Sequence, residues 1–116
     1  MNPEVTPVAR LLFTEARSHG HWLPRPVDPA LLYELYELMK FGPTSMNSQP
    51  MRLLFVCDDA ERERLAACVN PGNVEKVRSA PVVAVLGQDP GFVELLAMHF
   101  PHKKDALAYY TKANPT

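Results

Sequence analysis

Three short stretches concentrate cations, hydroxyls and amides: Arg17-Ser18-His19, the run GPTSMNSQP at 42–50, and the pair Asn73 and Lys76. Arginine and lysine suit a phosphate, arginine through the fork of its guanidinium. Asparagine, glutamine, serine and threonine suit the alternating donors and acceptors of a heteroaromatic ring system. Taken singly, each stretch has a plainer explanation: a cation closing a helix, a turn, an N-cap. The 42–50 run is nonetheless over-furnished for a corner between a helix and a strand, which two or three residues could turn.

Other chemistries find less support. The glycines form neither G-x-G-x-x-G nor a phosphate-binding P-loop, so a Rossmann nucleotide site is not indicated. His19 with His21 and His99 with His102 have zinc-like spacing. The first pair lies in a loop, Pro101 interrupts the second, and no thiol or carboxylate stands at ligand spacing, so these histidines read as solvated or capping and no metal is expected. Ser18, Ser45 and Ser48 lack a nucleophile elbow. Cys57, at the end of an apolar run, lacks a setting that would lower its pKa. No catalytic side chain is therefore assigned.

The elements that must position the polar stretches follow from periodicity. Residues 7–18 read as a short amphipathic helix whose last turn carries Arg17. Asp28 followed by Pro29 is a strong helix start, and the helix to about residue 40 has an apolar stripe wide enough for a central, covered element. Gly42-Pro43 stops it. RLLFVC (52–57) and APVVAVLG (80–87) read as strands buried on both faces. Between them, a helix capped by Asp58 or Asp59 runs from DDAERERLAACV, NPGN turns, and VEKVRS is a short helix. PGFVELLAMHF reads as a further helix, and PHKKDALAYYTKANPT as a fading polar end. Two strands among about five helices make a marginal sheet, so the pattern predicts a missing C-terminal part, a partner subunit, or both.

Composition sets the outer bounds. The 116 residues make one domain at most, with 47% hydrophobic and 22% charged residues, which is ordinary for a globular chain. A net charge of -1 shows no nucleic-acid footprint. No apolar run reaches the length of a membrane helix, and the N-terminus has no signal-peptide pattern, so a cytoplasmic protein without membrane or nucleic-acid partners is expected. Cys57 and Cys68 are expected to be reduced and partly buried. The 12 prolines punctuate the periodic segments and form no repeat.

GPTSMNSQPMRLLFV closely resembles the PSS-x-NSQPW stretch of the flavin-dependent nitroreductase family. The order Arg17-Ser18-His19, this loop, then NPGNVEKVRSAPVVAVL is the family's order as well. LFTEARSH, RPV, LYELMKFGPTS, PGNVEK, APV and FPH are most similar to the branch that holds malonic semialdehyde reductase and relatives named NADH dehydrogenase or nitroreductase. The resemblance runs from about Leu12 to His102.

This resemblance implies an α+β, nitroreductase-like fold in an intertwined homodimer, with FMN at the subunit interface. Arg17 would hold the phosphate, with Ser18 and His19 beside it. Pro43, Thr44, Ser45 and Asn47 would reach over the flavin of the opposite subunit. Asn73 and Lys76 would contact the ring edge and ribityl chain, and His21 stands where many members place Lys or Arg near the pyrimidine edge. NADH or NADPH would reduce the flavin and leave, and a small-molecule electron acceptor would follow in ping-pong order; malonic semialdehyde or a similar small carbonyl is the acceptor implied by the branch. The chain departs from the pattern at Met51, at Ser48-Gln49 and at Gly20-His21 before Trp22, positions that bear on substrate more than on fold. The family's C-terminal part has no counterpart, so residues 1–116 are expected to be one partial domain, its N-terminal portion. The competing expectation is a truncated, catalytically silent remnant that only dimerises or serves as an interaction module.

Overall fold

Local capping explains the helices whose starts the sequence marks. In the computed structural model, which describes residues 6–113, Asp28 Oδ1 accepts from the Ala30 amide at 2.9 Å and opens α2 (Pro29–Met39). Proline at the first position loses no bond there. Gly42 closes the helix by donating to the Met39 carbonyl, and a Cβ at Gly42 would meet that oxygen at 3.1 Å. Asp58 Oδ1 likewise accepts from the Ala60 and Glu61 amides and opens α3 (Asp59–Ala66). Asp59 and Glu61 in its first turn complement the helix dipole.

The first helix differs from expectation. α1 spans Thr6–Ala9 and runs into a π-helical stretch, Arg10–Thr14, closed by Glu15 N–H donating to the Arg10 carbonyl at 2.8 Å. The Arg10–Glu15 ion pair bridges that wide turn. The helical run thus ends before Arg17, which lies beyond the last turn and not in it.

β1 (Met51–Val56) and β2 (Val83–Gln88) pair antiparallel, Met51 opposite Gln88 and Val56 opposite Val83. β2 starts later than the pattern predicts because Pro81 has no N–H for the ladder. Residues 57–82 join the strands through α3, a 3-10 turn at Pro71–Asn73 and α4 (Val74–Ser79). The Arg62 guanidinium binds the Cys57 and Pro81 carbonyls and the Asp59 carboxylate, bolting the end of β1 to the approach of β2. Arg78 on α4 is paired with Glu63 of α3 at 2.5 Å and with Glu75 at 2.9 Å.

Beyond β2 the single helix expected at 90–100 is a 3-10 segment, Pro90–Leu95, followed by α5 (Leu96–His99). Asp89 caps the 3-10 segment through Gly91 N–H at 2.8 Å. The stretch expected to fade into a polar end forms α6 (Ala106–Ala113) as far as it is described; residues 114–116 lie outside the described part.

The interior is small. Among the described residues the buried apolar set is Val56, Ala66, Ala80, Leu96 and Ala106, with Leu96 the one large side chain fully enclosed. The strands, expected to be buried on both faces, are largely open, and Leu54 and Leu86 lie on the solvent side. α2 is equally uncovered, with Leu31, Tyr33 and Leu38 exposed. Cys57 and Cys68 are free and exposed, where partial burial was expected. The radius of gyration is 18.8 Å, against about 13 Å for a compact chain of this length. The accessible surface of 9615 Å² likewise exceeds the roughly 6,300 Å² of a compact protein of this mass. Apolar faces sufficient for a larger core are present, and nothing among the described residues covers them.

Two tests follow from this packing. Leu96→Ala should cost about 2–5 kcal/mol, read as a lower urea midpoint; an unchanged midpoint would show that Leu96 does not anchor the core. The Glu63 carboxyl is held below its ordinary 4.5 by the hydrogen bond from Arg78, with burial opposing and the Arg78 charge adding. A depressed carboxyl stabilises the fold above its unfolded pKa and loses that contribution as pH falls through the folded value. Glu63→Gln should therefore melt earlier than wild type at pH 7 and converge with it on acidification; a gap that persists in acid would discount the pair.

Candidate functional site

The polar stretches form two separate groups. In the first, the exposed segment after the π-helical turn lies against the N-terminal part of α4. Trp22 Nε1 donates to the Lys76 carbonyl at 2.9 Å, and the Lys76 side chain reaches Gly20, its Cε 4.0 Å from where a Cβ would stand. His19 and His21 share an open cavity of about 600 Å³ with Trp22, Arg25, Leu31 and Pro81. Its walls are largely apolar, and its size falls in the range of small-molecule sites.

The cations of this group keep donors to spare. Arg17 Nη1 donates to the Thr14 carbonyl at 3.2 Å and to the Ala16 carbonyl at 2.7 Å. Its Nε and Nη2 have no protein acceptor among the described residues. Lys76 forms no ion pair there, although Arg10, Arg52, Arg62, Arg64 and Arg78 each do. Asn73 ends the 3-10 turn Pro71–Asn73, its amide N–H donating to the Asn70 carbonyl at 2.8 Å and its side chain capping nothing. Ser18 lies exposed between Arg17 and His19.

The second group is the 43–49 loop, and its backbone is strained. Met46, Asn47 and Gln49 have φ of 50°, 50° and 47°. Asparagine tolerates this region, whereas Met46 pays on the order of 1 kcal/mol for its Cβ. Local bonds hold the shape. Asn47 N–H donates to the Thr44 carbonyl and Ser48 N–H to the Ser45 carbonyl, both at 3.0 Å. Gln49 N–H donates to Thr44 Oγ1 at 3.1 Å, and Gln49 Nε2 donates to Asn47 Oδ1 at 2.9 Å. Pro43 and Thr44 border a cavity of about 380 Å³ with Tyr36, Met39, Gln49 and Arg52.

Longer-range bonds fix the loop to the rest of the chain. Asn47 Nδ2 donates to the His99 carbonyl at 3.0 Å, and the Tyr110 hydroxyl to the Ser45 carbonyl at 3.1 Å. Arg52 donates to the Gln49 carbonyl while pairing with Asp89 at 2.5 Å. Trp22, Arg52, His99 and Tyr110 are contributors that the sequence reading missed. No local motif marks them, since each acts across a separation of turns or whole elements.

Within this chain no hydrogen bond among the described residues joins the 43–49 loop to the Arg17–Trp22 segment. No three of His, Cys, Asp and Glu converge among the described residues. The His102 ring instead packs on Phe100, with centroids 3.9 Å apart. His99 Nδ1 is buried without a hydrogen-bond partner among the described residues.

No family model matches the chain. It is 50% identical over 99 residues to a Cupriavidus pinatubonensis protein named "Putative NADH dehydrogenase/NAD(P)H nitroreductase", covering 85% of this chain and 50% of that one. A protein of the same name from Polynucleobacter asymbioticus is 50% identical over 91 residues, covering 78% of this chain and 46% of the relative. The chain thus spans about half the length of the curated relatives it matches. Among solved structures, a Bacillus subtilis "putative nitroreductase" superposes with a TM-score of 0.76 at 21% identity, over 94% of this chain and 59% of that one. A nitroreductase family protein from Streptococcus pneumoniae superposes with a TM-score of 0.65 at 24% identity, over 85% and 52% of the two chains. Over the part it spans, this chain has the α+β nitroreductase fold, and its sequence is similar to that of proteins named NADH dehydrogenase/NAD(P)H nitroreductase.

Proposed function

We propose that this chain is part of an FMN-dependent NAD(P)H oxidoreductase of nitroreductase type, with residues 1–116 forming one part of the cofactor-binding domain. The observation that carries the reading is the His19–His21 cavity together with uncommitted donors on the segment and the helix that meet at Trp22, although Arg17, Asn73 and Lys76 do not line the cavity themselves. Among the described residues Arg17 and Lys76 keep cationic donors without a protein acceptor and Asn73 caps nothing with its amide, while the cavity wall adds two imidazoles and an indole. A dianionic phosphate attached to a planar heteroaromatic ring matches this donor set. In the proposed arrangement Arg17, Ser18 and His19 hold the phosphate end. His21, Asn73 and Lys76 face the ring and its chain. When bound, FMN supplies the hydride chemistry, so the protein needs only to bind, orient and shield it.

Pro43, Thr44, Ser45 and Asn47 are assigned to the same flavin from the neighbouring subunit of a homodimer. Their separation from the first group within one chain supports this assignment, as do the uncovered faces of α2 and the sheet. NADH or NADPH is the proposed reductant, and a small molecule, a short-chain carbonyl such as malonic semialdehyde among the candidates, the proposed acceptor. The free, exposed thiols fit a reducing, cytoplasmic setting. No helix among the described residues is long and apolar enough to cross a membrane.

A second reading is favoured by one observation, the uncovered apolar faces of α2 and the sheet. On that reading it is a silent module that dimerises without holding flavin. Trp22, the one tryptophan in the sequence, separates the two because it borders the proposed flavin cavity. Adding FMN should quench Trp22 emission and give a yellow protein that NADH bleaches. Unquenched emission and colourless protein would leave the silent module standing. Arg17→Ala should weaken FMN binding by about 1.5–3 kcal/mol, the worth of a charge-assisted hydrogen bond, and an unchanged affinity would take Arg17 out of the site. Sedimentation should show the flavin-loaded protein as a dimer; a loaded monomer would contradict the cross-subunit role of Thr44, Ser45 and Asn47.

A further inference from the structure

We infer that Tyr110 is a positioning residue, its hydroxyl holding the strained 43–49 loop in the shape that presents Thr44, Ser45 and Asn47. The loop contains three consecutive-to-near left-handed residues, two of them not asparagine, and such a backbone persists only where surrounding bonds over-determine it. The Ser45 carbonyl is the point where two of those bonds meet. It accepts from Ser48 N–H at 3.0 Å inside the loop and from the Tyr110 hydroxyl at 3.1 Å from outside.

The tyrosine ring is itself fixed. It stands edge-on to Phe92, with centroids 5.0 Å apart and an interplanar angle of 85°, and edge-on to Tyr109 at 5.3 Å. Phe92 belongs to the 3-10 segment capped by Asp89, and Asp89 pairs with Arg52, which donates to the Gln49 carbonyl. The loop is therefore held at Ser45 by α6, at Asn47 by the His99 carbonyl of α5, and at Gln49 by Arg52. Of these three, the Tyr110 bond is the one a single-atom deletion removes while the rings that support it stay in place. Its neighbour Tyr109 carries the same hydroxyl on the same helix but packs against Lys103 and Tyr110 and makes no bond to the loop.

The cofactor half of this inference rests on the FMN reading above; the loop half does not. Tyr110→Phe should accelerate amide hydrogen exchange at Asn47, Ser48 and Gln49 by about five-fold or more, leave the β1–β2 ladder amides unchanged, and weaken FMN binding by a similar factor. Tyr109→Phe should do neither. Loop amides that exchange as in wild type would overturn the inference, as would equal acceleration throughout the ladder, which marks a general loss of stability. Accelerated loop exchange with unchanged FMN affinity would overturn the positioning role. Should wild-type protein bind no FMN, the proposed function falls, and the exchange data alone decide whether Tyr110 sets the loop.

Discussion

The antiparallel register of β1 and β2 is the constraint on which the rest of the arrangement depends. Pairing Met51 with Gln88 makes Pro50 and Asp89 neighbours, and Asp89 N–H donates to the Pro50 carbonyl at 2.8 Å. The loop that enters β1 and the arm that leaves β2 must then run side by side. Asn47 reaches His99, Arg52 reaches Asp89 and Tyr110 reaches Ser45 because this register has already closed the distance. At the opposite end, Val56 against Val83 brings Cys57 and Pro81 within reach of one guanidinium, that of Arg62. A slip of one residue would turn every side chain to the other face and part both sets of partners.

What the sequence made legible divides along the range of the interactions. Helix starts were readable where the cap is a local bond, as at Asp28 with Ala30 and Asp58 with Ala60 and Glu61. The strands were readable from composition; their ends shifted by one residue, except the start of β2, which moved from residue 80 to Val83 because Pro81 withholds a donor. Three features were not readable. The π-helical turn depends on an Arg10–Glu15 pair whose i,i+5 spacing no helical template favours. α6 carries no described N-cap of its own and packs through Ala106 and Tyr110, so its existence depends on neighbours that the local pattern does not show. The left-handed residues of the 43–49 loop carry no glycine to announce them.

Burial was the larger misreading, and its cause is physical. Apolar periodicity states that a face will be covered; it does not state by what. The stripe on α2 and the alternation in β1 and β2 are those of interior elements, yet Leu31, Tyr33, Leu38, Leu54 and Leu86 remain exposed in the isolated chain. The same mismatch appears as an accessible surface some half again larger than compactness allows. Sequence pattern and structure thus agree on which faces are apolar, and among the described residues nothing covers them.

The candidate site is positioned by two different strategies within one small framework. The Arg17–Trp22 segment has no secondary structure of its own and is tied to α4 by one indole hydrogen bond. α4 is in turn fixed to α3 by Arg78 and Glu63, so the placement of Lys76 is inherited from a helix pair, not from the segment that meets it. The 43–49 loop is the reverse case: a short, self-bonded, strained segment whose shape is imposed from three outside points. Strain of this kind opposes folding and persists here because the surrounding bonds over-determine the shape. GPTSMNSQP is thus more than a wide corner between a helix and a strand. Gly42 and Pro43 stop α2; the residues after them spend backbone energy to hold hydroxyl and amide groups in a fixed array.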